Sequence, residues 1–64
     1  MKQKTRERTI AIAPCLNEEQ AIGNVVRKLK PWVDTVVVVD DGSTDRTEMV
    51  ARRAGAIVLK HKKN

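Results

Sequence analysis

The 64-residue sequence predicts an α/β domain built on a three-stranded parallel sheet, in the chain order β-α-β-α-β. Residues 36–39 are four consecutive valines, and an uninterrupted β-branched run is typical of a parallel strand buried on both faces. Stretches with apolar residues at helical spacing lie on either side of this run, joined to it by short connections. Right-handed crossovers then give the strand order 3-2-1 and place both helices on one face of the sheet.

The first strand and the first helix are predicted from the segment before the valines. Residues 9–13 form a short apolar run that we expect to end at Pro14, which has no N–H to donate to a ladder. Asn17 and Gln20 have capping-box spacing and predict the start of a helix, which Pro31 ends. The predicted inner face of this helix and of the residues just after it consists of Ile22, Val25, Val26, Leu29 and Val33.

The second strand and the second helix surround a sharp change from apolar to polar residues. Residues 35–40 are the predicted strand, and a helix follows Gly42, capped by Ser43 or Asp45. Asp45 and Glu48 again have capping-box spacing. The predicted inner face of this helix consists of Thr47, Val50, Ala51 and Ala54.

The third strand completes a sheet that the predicted elements cover on one side only. Gly55 suits the residue that closes the second helix, and residues 56–59 are the strand. The other face remains uncovered although residues 36–39 are apolar toward both sides, and the first strand has an open edge. We therefore expect the first part of a larger α/β domain, whose partner is the remainder of that domain or a self-associated copy.

The net charge of +5 lies in the two ends of the chain, so the predicted domain itself is close to neutral. We expect residues 1–8 to form a basic flexible tail, residues 9–61 the domain, and residues 62–64 a C-terminal tail. Trp32 is the single aromatic residue, and one ring offers no stacking platform for nucleic acid. Nucleic acid is therefore not an expected partner, whereas basic ends can touch an anionic membrane surface.

The cysteine count and the hydropathy of the chain bear on its compartment. Cys15 is the only cysteine, which excludes an internal disulfide and fits a reducing compartment. No apolar run approaches the ~20 residues of a membrane span, and the basic start lacks the apolar region of a secretory signal. A cytoplasmic location, with contact to the cytoplasmic membrane face as an option, is the expectation.

Two acidic loops are expected to lie side by side at the carboxyl ends of the first two strands. Residues 14–19 and 40–43 form these loops, and open α/β sheets bind their ligands at this edge. Neither a G-x-G-x-x-G sequence nor a P-loop is present, and Glu18 and Glu19 would repel a phosphate. Carboxylates suit the N–H groups of a base, sugar hydroxyls or a divalent cation. The alternative is an ordinary turn followed by a capped helix.

The sequences I-A-I-A-P-C-L-N-E-E at residues 10–19 and V-V-V-V-D-D-G-S-T-D-R-T at residues 36–47 resemble the family 2 glycosyltransferases. The resemblance is greatest to the dolichyl-phosphate mannosyltransferase-like branch, and A-R-R-A-G-A at residues 51–56 continues it. It implies the first part of a GT-A (Rossmann-like) nucleotide-sugar-binding domain. It also implies transfer of a sugar from a nucleotide sugar to a lipid-phosphate or saccharide acceptor.

The resemblance further implies which residues form the donor site. The positions that match its nucleoside-binding residues are Pro14, Leu16, Glu18, Val39 and Asp41, and those expected to support them are Asn17, Asp40 and Gly42. Leu16 stands where the family often has a tyrosine, and Asp41 is expected to accept a hydrogen bond from the base. Mg²⁺ or Mn²⁺ is expected for the full domain. The D-x-D motif, catalytic base and acceptor site lie further along in the family, so no catalytic or metal-binding residue is assigned.

Other polar or aromatic residues have simpler expected roles. Glu19 is expected to be a surface charge that complements the helix dipole, and Cys15 a small loop-packing residue. His61 is expected to be an ordinary tail residue at the far end of another strand, and Trp32 to pack over the end of the first helix. A non-catalytic module that associates through its uncovered sheet face is the alternative function.

Overall fold

The computed structural model describes residues 8–61 and contains the predicted alternation of strands and helices. The elements are β1 (Ile10–Cys15), α1 (Ile22–Leu29), β2 (Thr35–Asp40), α2 (Thr47–Ala54) and β3 (Ile57–Lys60), with a 3-10 turn (Lys30–Trp32) after α1. The predicted fold class is confirmed. The tails predicted for residues 1–8 and 62–64 lie outside the described residues, apart from Arg8.

All three strands are parallel, and β2 lies between β1 and β3, which is the predicted order. Cys15 is in register with Asp40, so the carboxyl ends of β1 and β2 meet at one edge of the sheet. The expectation that Pro14 ends β1 is wrong, because the strand continues to Cys15. An edge strand tolerates proline where the missing N–H would face the open edge, and the next residue still pairs with β2, since Cys15 O accepts the N–H of Asp41 at 3.0 Å.

The core lies between the sheet and the two helices, which pack on the same face. Val38 of β2, Val26 of α1 and Ala51 of α2 are completely buried at its centre. The opposite face is uncovered among the described residues, as predicted. Ile12 and Ile57 are 66% and 53% exposed there, because each aligns in register with Val37 on the side away from the helices.

The starts of both helices differ from the capping patterns in the sequence. α1 begins at Ile22 instead of directly after Asn17, and no side chain caps it. Asn17 has a left-handed backbone, with φ 51°, and its side chain bonds to the neighbouring loop. α2 begins at Thr47, whose N–H donates to the carboxylate of Asp45 at 2.9 Å. The carboxylate of Glu48 forms ion pairs with a basic side chain one turn later in α2 and with one on β3. Hydrogen bonds to the neighbouring loop therefore replace the predicted capping box of Asn17, and ion pairs replace that of Glu48.

Two hydrophobic residues that the sequence placed against the core are exposed. Trp32 is 81% exposed, because the 3-10 turn carries it away from the helix end while Leu29 and Val33 pack on the core. Val25 is 39% exposed, because α1 presents Ile22 and Val26 to the core instead. Both expectations were wrong, and for Val25 the reason is that helical spacing alone does not fix which part of an apolar stripe faces inward.

Gly55→Ala is expected to lower the free energy of unfolding by about 1–2 kcal/mol. Gly55 ends α2 in a left-handed conformation, with φ 109°, that a side chain disfavours. An added methyl would also contact Lys30 Nζ, the mobile end of a long side chain. Urea denaturation measures the loss, and the same substitution in a Lys30→Ala background is the control. If the double variant recovered the stability of Lys30→Ala, the cause would be the contact with Lys30 and not the backbone.

Candidate functional site

Two loops meet at the carboxyl edge of the sheet and form the walls of one pocket. The first connects β1 to α1 and the second connects β2 to α2. The pocket has a volume of about 300 Å³, and its lining residues are Pro14, Cys15, Leu16, Glu18 and Asp41. We call it the carboxyl-edge pocket. Glu18 and Asp41, which come from different loops, therefore lie at the same cavity.

Asn17 joins the first loop to the second through both its backbone and its side chain. Its N–H donates to Ser43 Oγ at 2.8 Å, and its side-chain oxygen accepts the N–H of Thr44 at 2.9 Å. Because Asn17 readily adopts the left-handed conformation seen here, it can make both bonds at once. The segment S-T-D of the second loop thus serves to hold the first loop.

Glu19 makes a second reciprocal connection two residues further along. Its carboxylate accepts the N–H of Arg46 at 2.9 Å, and its own N–H donates to Asp45 at 3.3 Å. The expectation that Glu19 is only a surface charge is therefore wrong. Between Asn17 and Glu19, the N–H of Glu18 donates to the buried hydroxyl of Thr47 at 2.7 Å. These cross-loop hydrogen bonds fix the backbone on both sides of Glu18, whose side chain lines the pocket.

Asp40 supports the second loop from inside the protein. It is completely buried, and its Oδ1 accepts the N–H of Ser43 at 2.9 Å. Its Oδ2 has no hydrogen-bond partner among residues 8–61. Burial raises the pKa of the nearby Cys15 thiol, and the negative charge of Asp40 raises it further. Cys15 is thus an unreactive packing residue at neutral pH.

The remaining predicted positions lie next to the pocket and not in its lining. Gly42 has φ 90°, a left-handed conformation that allows the chain to turn sharply after β2. Val39 is half-buried and in register with Pro14, one residue below the strand ends. Four of the five predicted nucleoside-binding positions therefore line one cavity, and Val39 lies beneath it.

His61 reaches the same edge, which the sequence-based interpretation missed. Its N–H donates to the carbonyl of Asp40 at 2.7 Å, and its Nδ1 lies 2.8 Å from Asp41 Oδ1. The expectation of a remote tail residue is wrong, because all carboxyl ends of a parallel sheet meet at one edge. The predicted strand order contained this signal, since it makes β3 the neighbour of β2.

The chemistry of the carboxyl-edge pocket suits hydrogen-bond donors and not phosphate. In the part of the chain that the structure describes, its lining combines two carboxylates with apolar groups and has no lysine or arginine side chain. Among residues 8–61, no group of three or more histidine, cysteine or acidic side chains could hold a metal ion. In the same part of the chain, no helix has the length and apolar character needed to cross a membrane.

An open parallel sheet with a pocket at its carboxyl edge defines a ligand-binding α/β protein of the nucleotide-binding type. The model of the family described as "Glycosyl transferase family 2" matches residues 10–64, which is most of the sequence. This chain therefore belongs to glycosyl transferase family 2, as the sequence motifs predicted.

Curated relatives and solved structures extend the similarity. Glucosyl-3-phosphoglycerate synthase of Mycolicibacterium smegmatis is 47% identical over 57 residues, which cover 81% of this chain and 19% of the relative. The succinoglycan biosynthesis protein ExoA of Rhizobium meliloti is 40% identical over 53 residues, covering 77% of this chain and 16% of the relative. This chain thus spans less than a fifth of the length of each of these two relatives.

Crystal structures of Mycobacterium tuberculosis glucosyl-3-phosphoglycerate synthase share the fold. One superposes with a TM-score of 0.74 at 43% identity, covering 83% of this chain and 22% of that chain. Another, with a TM-score of 0.73 at 43% identity, is a complex with Mn²⁺, uridine-diphosphate-glucose and phosphoglyceric acid, and covers 83% of this chain and 21% of that chain. The mycobacterial synthase thus binds uridine-diphosphate-glucose in one of its crystal structures.

Proposed function

We propose that this chain forms the donor-binding part of a glycosyltransferase that uses a UDP-sugar. The observation that carries the proposal is the meeting of Glu18 and Asp41 at one pocket, at the edge where α/β sheets bind ligands. The complexes of the mycobacterial synthase with uridine-diphosphate-glucose support this choice of donor. The transfer reaction itself is proposed for the whole protein, because catalysis needs more than the residues that line this pocket.

In this proposal the two carboxylates recognise the nucleoside. Asp41 accepts the imide N–H of uracil, and Glu18 accepts a ribose hydroxyl from the opposite loop. Leu16, which is 47% exposed, supplies an apolar surface for the base in place of an aromatic ring. A hydrogen bond to a charged carboxylate contributes about 1.5–3 kcal/mol, so these contacts can decide which base is accepted.

The finer predictions from the motifs remain part of the same proposal. They are membership of the dolichyl-phosphate mannosyltransferase-like branch, a lipid-phosphate or saccharide acceptor, Mg²⁺ or Mn²⁺ in the full domain, and a cytoplasmic location. The similarity to a synthase whose complex contains phosphoglyceric acid supports a small phosphorylated acid as a further acceptor class. Its complexes with Mn²⁺ and Mg²⁺ support the divalent cation.

The test is a nucleotide titration of the ¹⁵N-labelled 64-residue chain, followed by amide NMR. Adding UDP or UDP-glucose with Mg²⁺ is expected to shift the signals of Leu16, Glu18 and Asp41, which line the pocket. GDP- and dTDP-sugars are the comparison ligands for base preference. If none of these nucleotide sugars at millimolar concentration moved the three signals in a folded sample, the proposal would be wrong for this chain.

A non-catalytic module that associates through its uncovered sheet face is the alternative function. Ile12, Ile57 and Leu59, each more than half exposed, favour it. The binding of uridine-diphosphate-glucose by the mycobacterial synthase supports the donor-binding function instead. Sedimentation analysis separates the two functions, since a compact monomer that binds UDP would contradict the alternative.

A further inference from the structure

We propose that His61 is a positioning residue of the nucleoside site, which holds the carboxylate of Asp41 in the orientation that receives the base. The inference rests on the proposed function and adds a residue from a third strand to a site built on two loops. It starts from the short contact between His61 Nδ1 and Asp41 Oδ1, at 2.8 Å.

Backbone hydrogen bonds hold His61 next to Asp41 independently of the contact between their side chains. His61 directly follows β3, and its N–H donates to the carbonyl of Asp40 at 2.7 Å, which extends the pairing of β2 and β3 by one residue. Asp41 directly follows β2 and is anchored on its other side, where its N–H donates to Cys15 O at 3.0 Å. Both backbones are therefore fixed next to the two side chains that meet.

The contact with His61 does not by itself occupy every acceptor position of the Asp41 carboxylate. A carboxylate has about four acceptor positions, so an Nδ1–H donated to Oδ1 fixes the side-chain rotamer without exhausting them. Both the neutral Nδ1–H tautomer and the imidazolium can make this bond. Among residues 8–61, the charged groups next to this pair in the site include Glu18, across the pocket, and the buried Asp40, whose carbonyl accepts the N–H of His61. The ammonium of Lys60 lies 3.2 Å from Glu48 of α2.

The binding test compares two substitutions of His61 in the full 64-residue chain. His61→Ala is expected to weaken UDP binding by about fivefold, the size expected for an exposed orienting pair. His61→Asn retains an N–H donor near the position of Nδ1 and is expected to stay within about twofold of the wild type. In a double-mutant cycle, adding His61→Ala to Asp41→Ala is expected to cost nothing further, because the group that His61 orients is already absent.

A spectroscopic test needs no ligand. At about pH 8.5, ring ¹⁵N shifts are expected to show the Nδ1–H tautomer of His61 in the wild type. Loss of this preference is expected in Asp41→Ala, since the hydrogen-bond partner selects the tautomer. His61 is exposed, Asp41 is half-exposed and neither belongs to the buried core, so the fold is expected to survive the substitutions, and the amide spectrum checks this.

The outcomes separate this inference from the proposed function. The positioning role would be overturned if the wild type and His61→Ala bound UDP with equal affinity. It would also be overturned if Asp41→Ala left the tautomer of His61 unchanged. Neither result would argue against the UDP site. A wild-type chain that shows the predicted tautomer but binds no UDP would overturn the proposed function, and the role of His61 in binding with it.

Discussion

Thr47→Val is expected to lower the free energy of unfolding by about 2 kcal/mol, although valine and threonine have nearly the same shape. Thr47 is completely buried at the start of α2. Its hydroxyl accepts the N–H of Glu18 at 2.7 Å and donates to the carboxylate of Asp45. Valine leaves the part-buried N–H of Glu18 without this partner and removes the hydrogen bond that joins the first loop to the start of α2. Urea denaturation followed by far-UV circular dichroism measures the difference.

Thr44→Val is the matched control for this prediction. Thr44 lies in the same loop but is exposed, and its hydroxyl is 3.5 Å from Asn17 Oδ1, at the limit of a hydrogen bond. Its main contribution is a backbone N–H, which valine retains. The control is expected to stay within about 0.5 kcal/mol of the wild type. Equal stability of the two variants would mean that the Thr47 hydroxyl does not hold the loops together.

The loss of unfolding free energy in Thr47→Val is also expected to depend on pH. The hydroxyl of Thr47 is the main reason that the pKa of Asp45 lies below its ordinary value. A carboxyl whose pKa is lowered by folding stabilises the protein above its unfolded pKa of about 3.9, and this stability is lost as the pH falls through the folded pKa. Since Thr47→Val removes the cause, the gap between variant and wild type is expected to narrow from about pH 6 to about pH 3. A gap that widened on acidification would contradict this assignment.

The parts of the fold that could be predicted from the sequence depend on local signals. The run of valines identified β2 because no other element buries β-branched residues so continuously, and it now lies between β1 and β3. Gly55 marked the end of α2 because few other residues adopt φ 109°. The acidic pocket followed from topology, since adjacent parallel strands bring their carboxyl ends together.

The parts that could not be predicted depend on contacts between distant residues. Asn17 matches the sequence pattern of a helix cap, worth about 1 kcal/mol. In the structure it instead bonds to Ser43 and Thr44, which are more than 25 residues away in the chain. A local pattern cannot show that a second loop offers competing partners. The role of His61 was missed for a related reason, because its contact with Asp41 depends on the pairing of β3 and not on neighbouring residues.

Asp41→Ala is expected to weaken UDP binding by about tenfold to a hundredfold. The proposed contact is a hydrogen bond from the uracil imide to a charged carboxylate, which contributes about 1.5–3 kcal/mol. Asp41 lines the carboxyl-edge pocket, and its replacement removes this acceptor without changing the buried core. Titration with UDP, followed by amide NMR at Leu16 and Glu18, measures the affinity.

Asp34→Ala separates the loss of this contact from the loss of charge. Asp34 lies just before β2, at the amino edge of the sheet, where its carboxylate accepts the N–H of Thr9 at 2.8 Å. Both substitutions remove one negative charge, and because UDP is an anion, that change alone favours binding or leaves it unaltered. A weaker complex for Asp41→Ala, with unchanged affinity for Asp34→Ala, therefore reports a direct contact. Equal losses in the two variants would locate the nucleoside elsewhere, and the two strand ends would no longer define the donor site.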